Sequence, residues 1–408
     1  MKEDWIEIEL GEILNVSSGS GLTSKEMSGS GFPVYGGNGI TGYHSEYLFE
    51  DEKLIIGRVG VRCGITHITK PKSWVTDNAL VVTFKEKCFD LNFMKLKLHF
   101  ENLNKLSNST AQPVISGAKI YSYSIDLPPL PIQRAIVTKI ENLFTSLDKG
   151  IADLKRAQEQ LKIYRQAVLK KAFEGKYVND SSNWKQVKIS SLCEVVRGGS
   201  PRPAGDPRYY EGNIPFLKVA DLTRNEGTHL KTYTYSIKEA GLKKTRLVNA
   251  NTLLLSNSGA TLGIPKICSF ETTFNDGIAA FLGLEDKSLL YHYYFWLSKT
   301  KELRNINQGA AQPNLNTNMI GAMEIPIGSS EDQNNTVKEI ESRLSVCDKV
   351  EQSITETLEK SEALRQSILK KAFEGKLLSE AEIEKCKQEA DYEPASMLLE
   401  KIKTIKNG

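Results

Sequence analysis

RQAVLKKAFEGK, residues 165–176, returns as RQSILKKAFEGK at 365–376 with ten of its twelve residues unchanged. The offset of 200 residues holds upstream without a gap: Gln133 falls on Gln333, Glu141 on Glu341, and Asp148-Lys149 on Asp348-Lys349. It reaches back to Ala111-Gln112-Pro113, which matches Ala311-Gln312-Pro313. That period is far beyond the roughly 20–50 residues of a solenoid repeat. The chain therefore carries two copies of one domain-plus-helix module.

Before each LKKAFEGK stretch lies a long apolar stripe. From Ile136 it runs Ile140, Leu143, Leu147, Ile151, Leu154, Ala157, Leu161, Tyr164 and Val168. The mean spacing of about 3.6 with three-four alternation predicts a coiled-coil-like helix over 132–174. Gly175 is a fitting C-cap, with Lys170 and Lys171 in the last turn, where the helix dipole favours cations. Such a stripe needs a partner of comparable length, and 334–374 supplies it through Val337, Ile340, Leu344, Cys347, Val350, Ile354, Leu358, Leu364 and Ile368. Helix packing is assigned to Ile140, Leu143, Leu147, Leu154 and Leu161 against Ile340, Leu344, Ile354, Leu358 and Ile368.

The stretches before the helices are strand-rich. In residues 5–130, short Val, Ile, Tyr and Phe runs are separated by Gly, Asn and Ser clusters. LIIGRVGVRCGITHI (54–68) reads as strand-turn-strand, ALVVTF (79–84) as a buried strand, and 89–106 as a helix. Residues 183–328 repeat this loosely: Trp184 answers Trp5, LLLSNSGATLGIPKI (253–267) answers 54–68, and a helix at 289–306 answers 89–106. The glycine-rich loop of the first copy is replaced by VRGGSPRPAGDPRYYEGNIPFLKVADL, so frame repeats while loop content diverges. Duplicates of this kind keep a shape and change what is read. The fold class is α+β, two mixed, strand-rich domains separated by two long antiparallel helices, with a pseudo-twofold internal repeat. Boundaries fall at 1–130, 131–178, 179–328 and 329–378, followed by a charged tail, 379–408, which is either solvated or a short docking helix.

The 408 residues are 40% hydrophobic and 25% charged, as in a globular protein. No apolar run approaches the roughly 20 residues that span a bilayer, and the acidic start MKEDWIEIEL is unlike a signal peptide, so a cytoplasmic protein is expected. Six scattered cysteines without a CxxC pair argue against a zinc ribbon or a disulfide framework. Net charge is only +3, but the balance of Lys and Arg over Asp and Glu is −2 for 1–130, +5 for 131–178, +4 for 179–330 and −4 for 331–408. The basic excess sits mid-chain.

No catalytic set emerges. The only Pro-Pro lies in LPPLP, no glycine cluster continues into a P-loop, and the five histidines show no metal-ligand spacing. Asp276, Glu285 and Lys287 form a nuclease-like trio only by the chance expected of so charged a chain. Arg and Lys carry donors that match guanine, Asn and Gln match adenine, and Lys, Ser and backbone amides hold phosphates, so any nucleic-acid contact surface would draw on such residues. On or beside loops, the first module offers Asn38, Arg58, Arg62, Lys70, Lys72 and Gln112. The second offers Arg197, Arg202, Arg208, Tyr209, Lys218, Arg224, Lys243, Lys244, Arg246 and Asn257.

AQPVISGAKIYSYSIDLPPLPIQRAIVTKIENLFTSLDKGI with its long helix and LKKAFEGK, then AQPNLNTNMIGAMEIPI with a second helix and LKKAFEGK, resembles the specificity subunit of a type I restriction-modification system (HsdS). The resemblance spans Trp5 to about Leu378; IPIGSSEDQNN in place of LPPLPIQR is the main departure. It implies a non-catalytic DNA-binding subunit in which each target recognition domain reads half of a bipartite, asymmetric site and the conserved helices set the spacer. The helices would also dock two modification (methyltransferase) subunits. No cofactor is expected on this chain: S-adenosylmethionine belongs to the partner modification subunit, ATP and Mg to the partner restriction subunit. The alternatives are a structural dimerising scaffold and, less favoured, a self-contained modification or nuclease enzyme.

Overall fold

The computed structural model describes residues 4–85, 89–108, 113–259, 261–306, 314–397 and 400. The chain divides into two compact units, residues 1–153 with 357–408, and residues 154–356. Each unit therefore takes one strand-rich module and one part of each long helix. The central helix runs Leu130–Phe173 and the distal helix Ser330–Phe373, starting a few residues earlier than the apolar stripes alone predict.

In the first unit an antiparallel sheet has the order Leu14–Ser18, Ala79–Phe84, Leu54–Gly57, Thr66–Ile68. Leu54, Ile55 and Ile56 are fully buried, which explains an unbroken apolar run in place of alternation. A three-stranded sheet follows, Gly39–His44, Phe32–Gly36, Trp74–Val75, its last pair parallel. Ile6–Glu9 pairs with Ser124–Leu127 beneath the start of the central helix. The helix predicted over 89–106 is shorter. Asp90 caps it by accepting from the Phe93 amide at 2.8 Å, it runs Leu91–Phe100, and Asn102 at φ 50° ends it before a 3-10 turn at Leu103–Leu106. Asn tolerates that left-handed conformation better than most residues.

The second unit keeps the frame and adds to it. Its main sheet has the order Glu194–Arg197, Ile278–Leu282, Thr252–Ser256, Pro265–Cys268, His229–Leu230. The second sheet runs Tyr235–Ile237, Tyr210–Leu217, Thr272–Phe274, Arg246–Val248, and Lys185–Lys188 pairs with Glu324–Ile327. The strand His229–Leu230 has no counterpart among the described residues of the first unit, and Arg246–Val248 answers a single antiparallel bridge there, Phe49 to Ser73 in the place of Val248 to Thr272. The offset between copies accordingly grows from 179 at Trp5/Trp184 to 199 at Leu54/Leu253. Helix Leu289–Ile306 has the predicted length and buries Tyr291, Phe295 and Trp296.

Within each unit the two helix segments run antiparallel. In the first, Arg365 pairs with Asp148 and lies 4.5 Å from the Phe144 ring centroid, while Ile140, Ile368 and Ala372 are buried in one core. In the second, Arg165 meets Asp348 at 2.7 Å and Glu351 at 2.8 Å. Leu143, Leu147, Leu154, Leu161, Leu344 and Leu358 are half-buried, and Ile340 and Ile354 buried. Tyr164, Val350 and Leu364 are exposed instead. The repeated arginines explain this, since their stems take inner positions of the seam while their charged ends reach carboxylates.

Both helices end in the same cap. The amide of Lys176 donates to Lys171 O at 3.1 Å, that of Lys376 to Lys371 O at 2.8 Å, and Gly175 and Gly375 both sit at φ 72°. A Cβ on Gly175 would lie 2.3 Å from Ser181 Cβ. Gly175→Ala is expected to destabilise the second unit by about 1–2 kcal/mol, read as an earlier urea midpoint for the amide protection of Leu289–Ile306.

Of the tail, Glu380–Lys387 forms a docking helix held within the first unit. Ser379 and Glu382 cap its start reciprocally. Lys139 reaches Glu382 at 2.6 Å, and Arg134 grips Asp391 and Glu389 at 2.8 Å each. Tyr392 donates to Asp4 at 2.7 Å and Cys386 is buried. The hydrogen bond from Lys139, with those from Ser379, holds the Glu382 carboxyl well below the usual carboxylate range. The distal helix lacks the proline entry of the central one and starts on Ser329, whose hydroxyl and Asp332 exchange hydrogen bonds across the first turn.

Candidate nucleic-acid interface

In each unit the carboxyl ends of a parallel strand pair meet the end of the first strand of the main sheet. In the first unit the Thr76 amide donates to Tyr35 O at 2.8 Å and the Ser20 amide to Val75 O at 2.9 Å. This brings together Ser18, the Gly36-Gly37-Asn38 turn, Arg58 and Thr76–Asn78. Arg58 Nη1 donates to Ser18 Oγ at 3.2 Å and Arg62 Nη1 to Asn38 Oδ1 at 3.3 Å. Asn38, Arg62, Thr76 and Asn78 line a groove of about 420 Å³ floored by the glycine turn. Lys70 and Lys72 belong to another group: the Lys70 amide donates to Tyr35 Oη at 3.1 Å, and Lys72 lies 3.6 Å from Glu50 and 5.8 Å from the Tyr47 ring centroid. Gln112 lies outside the described residues.

The second unit builds the same corner with different side chains. The amides of Gly198 and Gly199 donate to Ile278 O and Phe274 O at 3.1 Å each. A Cβ on Gly198 would sit 2.3 Å from the carbonyl oxygens of both Phe274 and Asn275, so only glycine admits this approach. The preceding Arg197 donates from Nε to Asp276 O at 2.7 Å, and Ser200 Oγ donates to Asp276 Oδ1 at 2.9 Å. Arg246 donates from Nε to Arg197 O at 3.1 Å. Lys218 Nζ lies 3.5 Å from the Tyr235 ring centroid, a close cation–π contact. Arg224 Nη1 reaches Thr234 Oγ1 at 3.4 Å, and Thr234 in turn donates to Asp221 at 2.6 Å.

Other sequence candidates sit differently. Arg208 spends its fork on Asp206, at 2.6–3.0 Å, and lies 5.5 Å from the Tyr209 ring. That hydrogen-bonded guanidinium holds the Asp206 carboxyl below its ordinary range. Arg202, Lys243 and Lys244 are exposed, and Lys244 O packs against Gly199. Asn257 is corrected from loop surface to interior: it has no accessible surface, and neither side-chain amide atom has a partner. Its amide donates to Gly277 O at 2.9 Å as that of Arg58 donates to Asn78 O at 2.9 Å, so Asn257 holds the place of Arg58 in the repeat. The two copies thus bring a guanidinium to one corner by different routes, from position 58 onto Ser18 in the first and from position 197, the counterpart of Ser18, in the second.

Asp276, weighed in the sequence only as part of a nuclease-like trio, orients Arg197 and Ser200. It precedes strand Ile278–Leu282 while Glu285 follows it, with the whole strand, about 16 Å long, between them, and Glu285 pairs with Lys287 at 2.9 Å. The signal for its real role was the match of Asp276-Gly277 to Asp77-Asn78 after equivalent strands. Among the described residues no group of three His, Cys, Asp or Glu could hold a metal ion. Among the described residues no helix is long and apolar enough to cross a membrane.

Comparison with known proteins agrees with this duplicated frame. The specificity subunit of the type I restriction enzyme EcoBI from Escherichia coli is 24% identical over 446 residues, covering 98% of this chain and 92% of the relative. That of EcoDI, also from Escherichia coli, is 20% identical over 98% of this chain and 95% of its own length. Among solved structures, the HsdS subunit from Thermoanaerobacter tengcongensis shares the fold at a TM-score of 0.64 and 19% identity, over 92% of this chain and 98% of its own. A chain of a solved type I R-M system gives a TM-score of 0.69 at 19% identity, over 91% and 98%. The family described as type I restriction modification DNA specificity domain matches twice, at residues 2–156 and 181–360, one match to each copy of the repeat. With two such matches spanning most of its length, the chain belongs to the type I restriction-modification DNA specificity family.

Proposed function

We propose that this chain is the non-catalytic reader of a type I restriction-modification complex, each strand-rich module recognising one half of a bipartite target in double-stranded DNA. The observation that carries this is the shared corner. The same backbone frame presents Arg58 over Ser18 in one copy and Arg197 with Arg246 in the other, as a protein does when it reads two different half-sites with one scaffold. The long helices set the spacer and dock two modification subunits, which bring S-adenosylmethionine. Restriction subunits bring ATP and Mg. A purely structural scaffold would have no use for guanidinium groups oriented and left exposed.

The test is methylome sequencing of a methylation-free host expressing the chain with its modification subunit, against the modification subunit alone. Methylated adenine at one bipartite motif, present only with this chain, is the expected result. Methylation that ignores the chain in an assembled complex would favour the scaffold. Deleting four residues, about one helical turn, from the middle of each long helix is expected to change the tolerated spacer and leave both half-sites intact.

A further inference from the structure

Resting on that reading, we infer that Arg197 and Arg246 are a preset pair of guanine readers, so that the half-site of the second module contains two G·C pairs at fixed positions. The arginines of this module differ in which of their donors are already used. Arg208 has its fork closed by Asp206, and Arg224 leans on Thr234. Arg197 and Arg246 are instead held by Nε, each on a backbone carbonyl: Asp276 O for Arg197 at 2.7 Å and Arg197 O for Arg246 at 3.1 Å. Anchoring through Nε fixes the guanidinium plane and leaves the terminal amines outward. Among the described residues, Nη1 of Arg197 and both terminal amines of Arg246 have no hydrogen-bond partner, and Nη2 of Arg197 lies only loosely by Asp276 Oδ2, at 3.8 Å. Two parallel N–H donors are what guanine O6 and N7 accept in the major groove.

Three further features fit the assignment. The backbone beneath is rigid, because Gly198 and Gly199 donate to Ile278 O and Phe274 O, and a Cβ on either glycine would meet a backbone oxygen at 2.3 or 2.4 Å. The like charges of the two arginines are offset by the Asp276 carboxylate, itself fixed by Ser200. Arg246 stands on the strand Arg246–Val248, whose Val248–Thr272 pairing is matched in the first module by the Phe49–Ser73 bridge, and the residue in the place of Arg246 there is Tyr47, so the pair is a property of the second half-site alone. Asp276 is a positioning residue here: it touches the reader, not the base.

The same forks could clamp phosphates, and the experiment separates the two. The full chain, with its modification subunit, is compared as wild type, Arg197→Ala, Arg246→Ala and Asp276→Asn by methylome sequencing and by duplex binding across a salt series. The expected result is a wild-type motif with two G·C pairs in one half. Each Ala variant relaxes one of them, with discrimination falling roughly 10- to 100-fold; Asp276→Asn weakens only the Arg197 position, and the other half-site is unchanged, which also certifies folding. Uniformly weaker binding with no position relaxed, and a log-affinity against log-salt slope shallower by about one, would make these phosphate clamps and overturn the assignment. A wild-type motif lacking G·C where the variants act would overturn it alone. Methylation independent of the chain would bring down the underlying reading as well.

Discussion

Phe373→Ala is expected to destabilise the first unit by about 3–5 kcal/mol, near the upper end for a core truncation. Phe373 closes the distal helix and is 3% exposed. Its ring lies 5.7 Å from that of Phe93 and 5.1 Å from that of Phe100, with Lys97 Nζ 5.4 Å from its centroid. Removing it opens a cavity under Leu91–Phe100 and strands the buried Lys97 stem, whose charge is met by Glu101 at 2.7 Å. The repeat supplies the control. Phe173 makes similar ring contacts, 5.1 Å to Tyr291 and 5.4 Å to Phe295, but is half-buried beside an open groove, so Phe173→Ala should cost less. Because the chain has two units, denaturant melts are best followed by site-resolved hydrogen exchange, which assigns each loss to its unit. Equal losses at the two sites would mean that burial does not set the cost.

Acidification from pH 6.5 to pH 4 is expected to weaken the second unit by about 3 kcal/mol through one side chain. His292 is 3% exposed, its Nδ1 has no partner, and burial pushes its imidazole down to about 4. A histidine depressed in the folded state contributes nothing above its unfolded pKa of about 6.5. Below that value the unfolded chain takes up a proton that the folded chain refuses, so stability falls with pH until the folded imidazole itself titrates. His292→Gln, which cannot take up that proton, should flatten this slope in the second unit and leave the acid response of the first unchanged. A slope that survives the substitution would assign the acid sensitivity to other groups.

The features legible in the sequence were those written locally. The repeated LKKAFEGK, the 3.6-residue stripe, the terminal glycines and the unbroken apolar runs LIIG and ALVV all report on near neighbours, and the helices and inner strands follow them. What escaped depends on distant partners. The stripe names Tyr164 and Leu364 because they are apolar, yet Arg165 and Arg365 win the inner positions since carboxylates wait on the facing segment, at Asp348 and Asp148. The break at Asn102 hides in a polar run where one left-handed residue leaves no periodic trace. The tail docks through Arg134 and Asp391, which are 257 residues apart. At the candidate interface, residue type alone singled out Arg197 and Arg246, but Asp276, which sets the direction of Arg197, stands 79 residues away. The chemistry of Asn257 suits a surface, whereas its strand-end place, equivalent to that of Arg58, takes it inside.

A duplicated chain has an addressing problem: a tail that fits one copy meets a near-replica of its seat in the other. The two seats differ in sign. Lys139 and Arg134, which receive Glu382, Glu389 and Asp391, are replaced 200 residues later by Glu339 and Asn334. An acidic tail that finds cations on the first copy would find a carboxylate and a neutral amide on the second. Two substitutions thus give the repeated seats opposite character, and the acidic tail is addressed to the first copy alone.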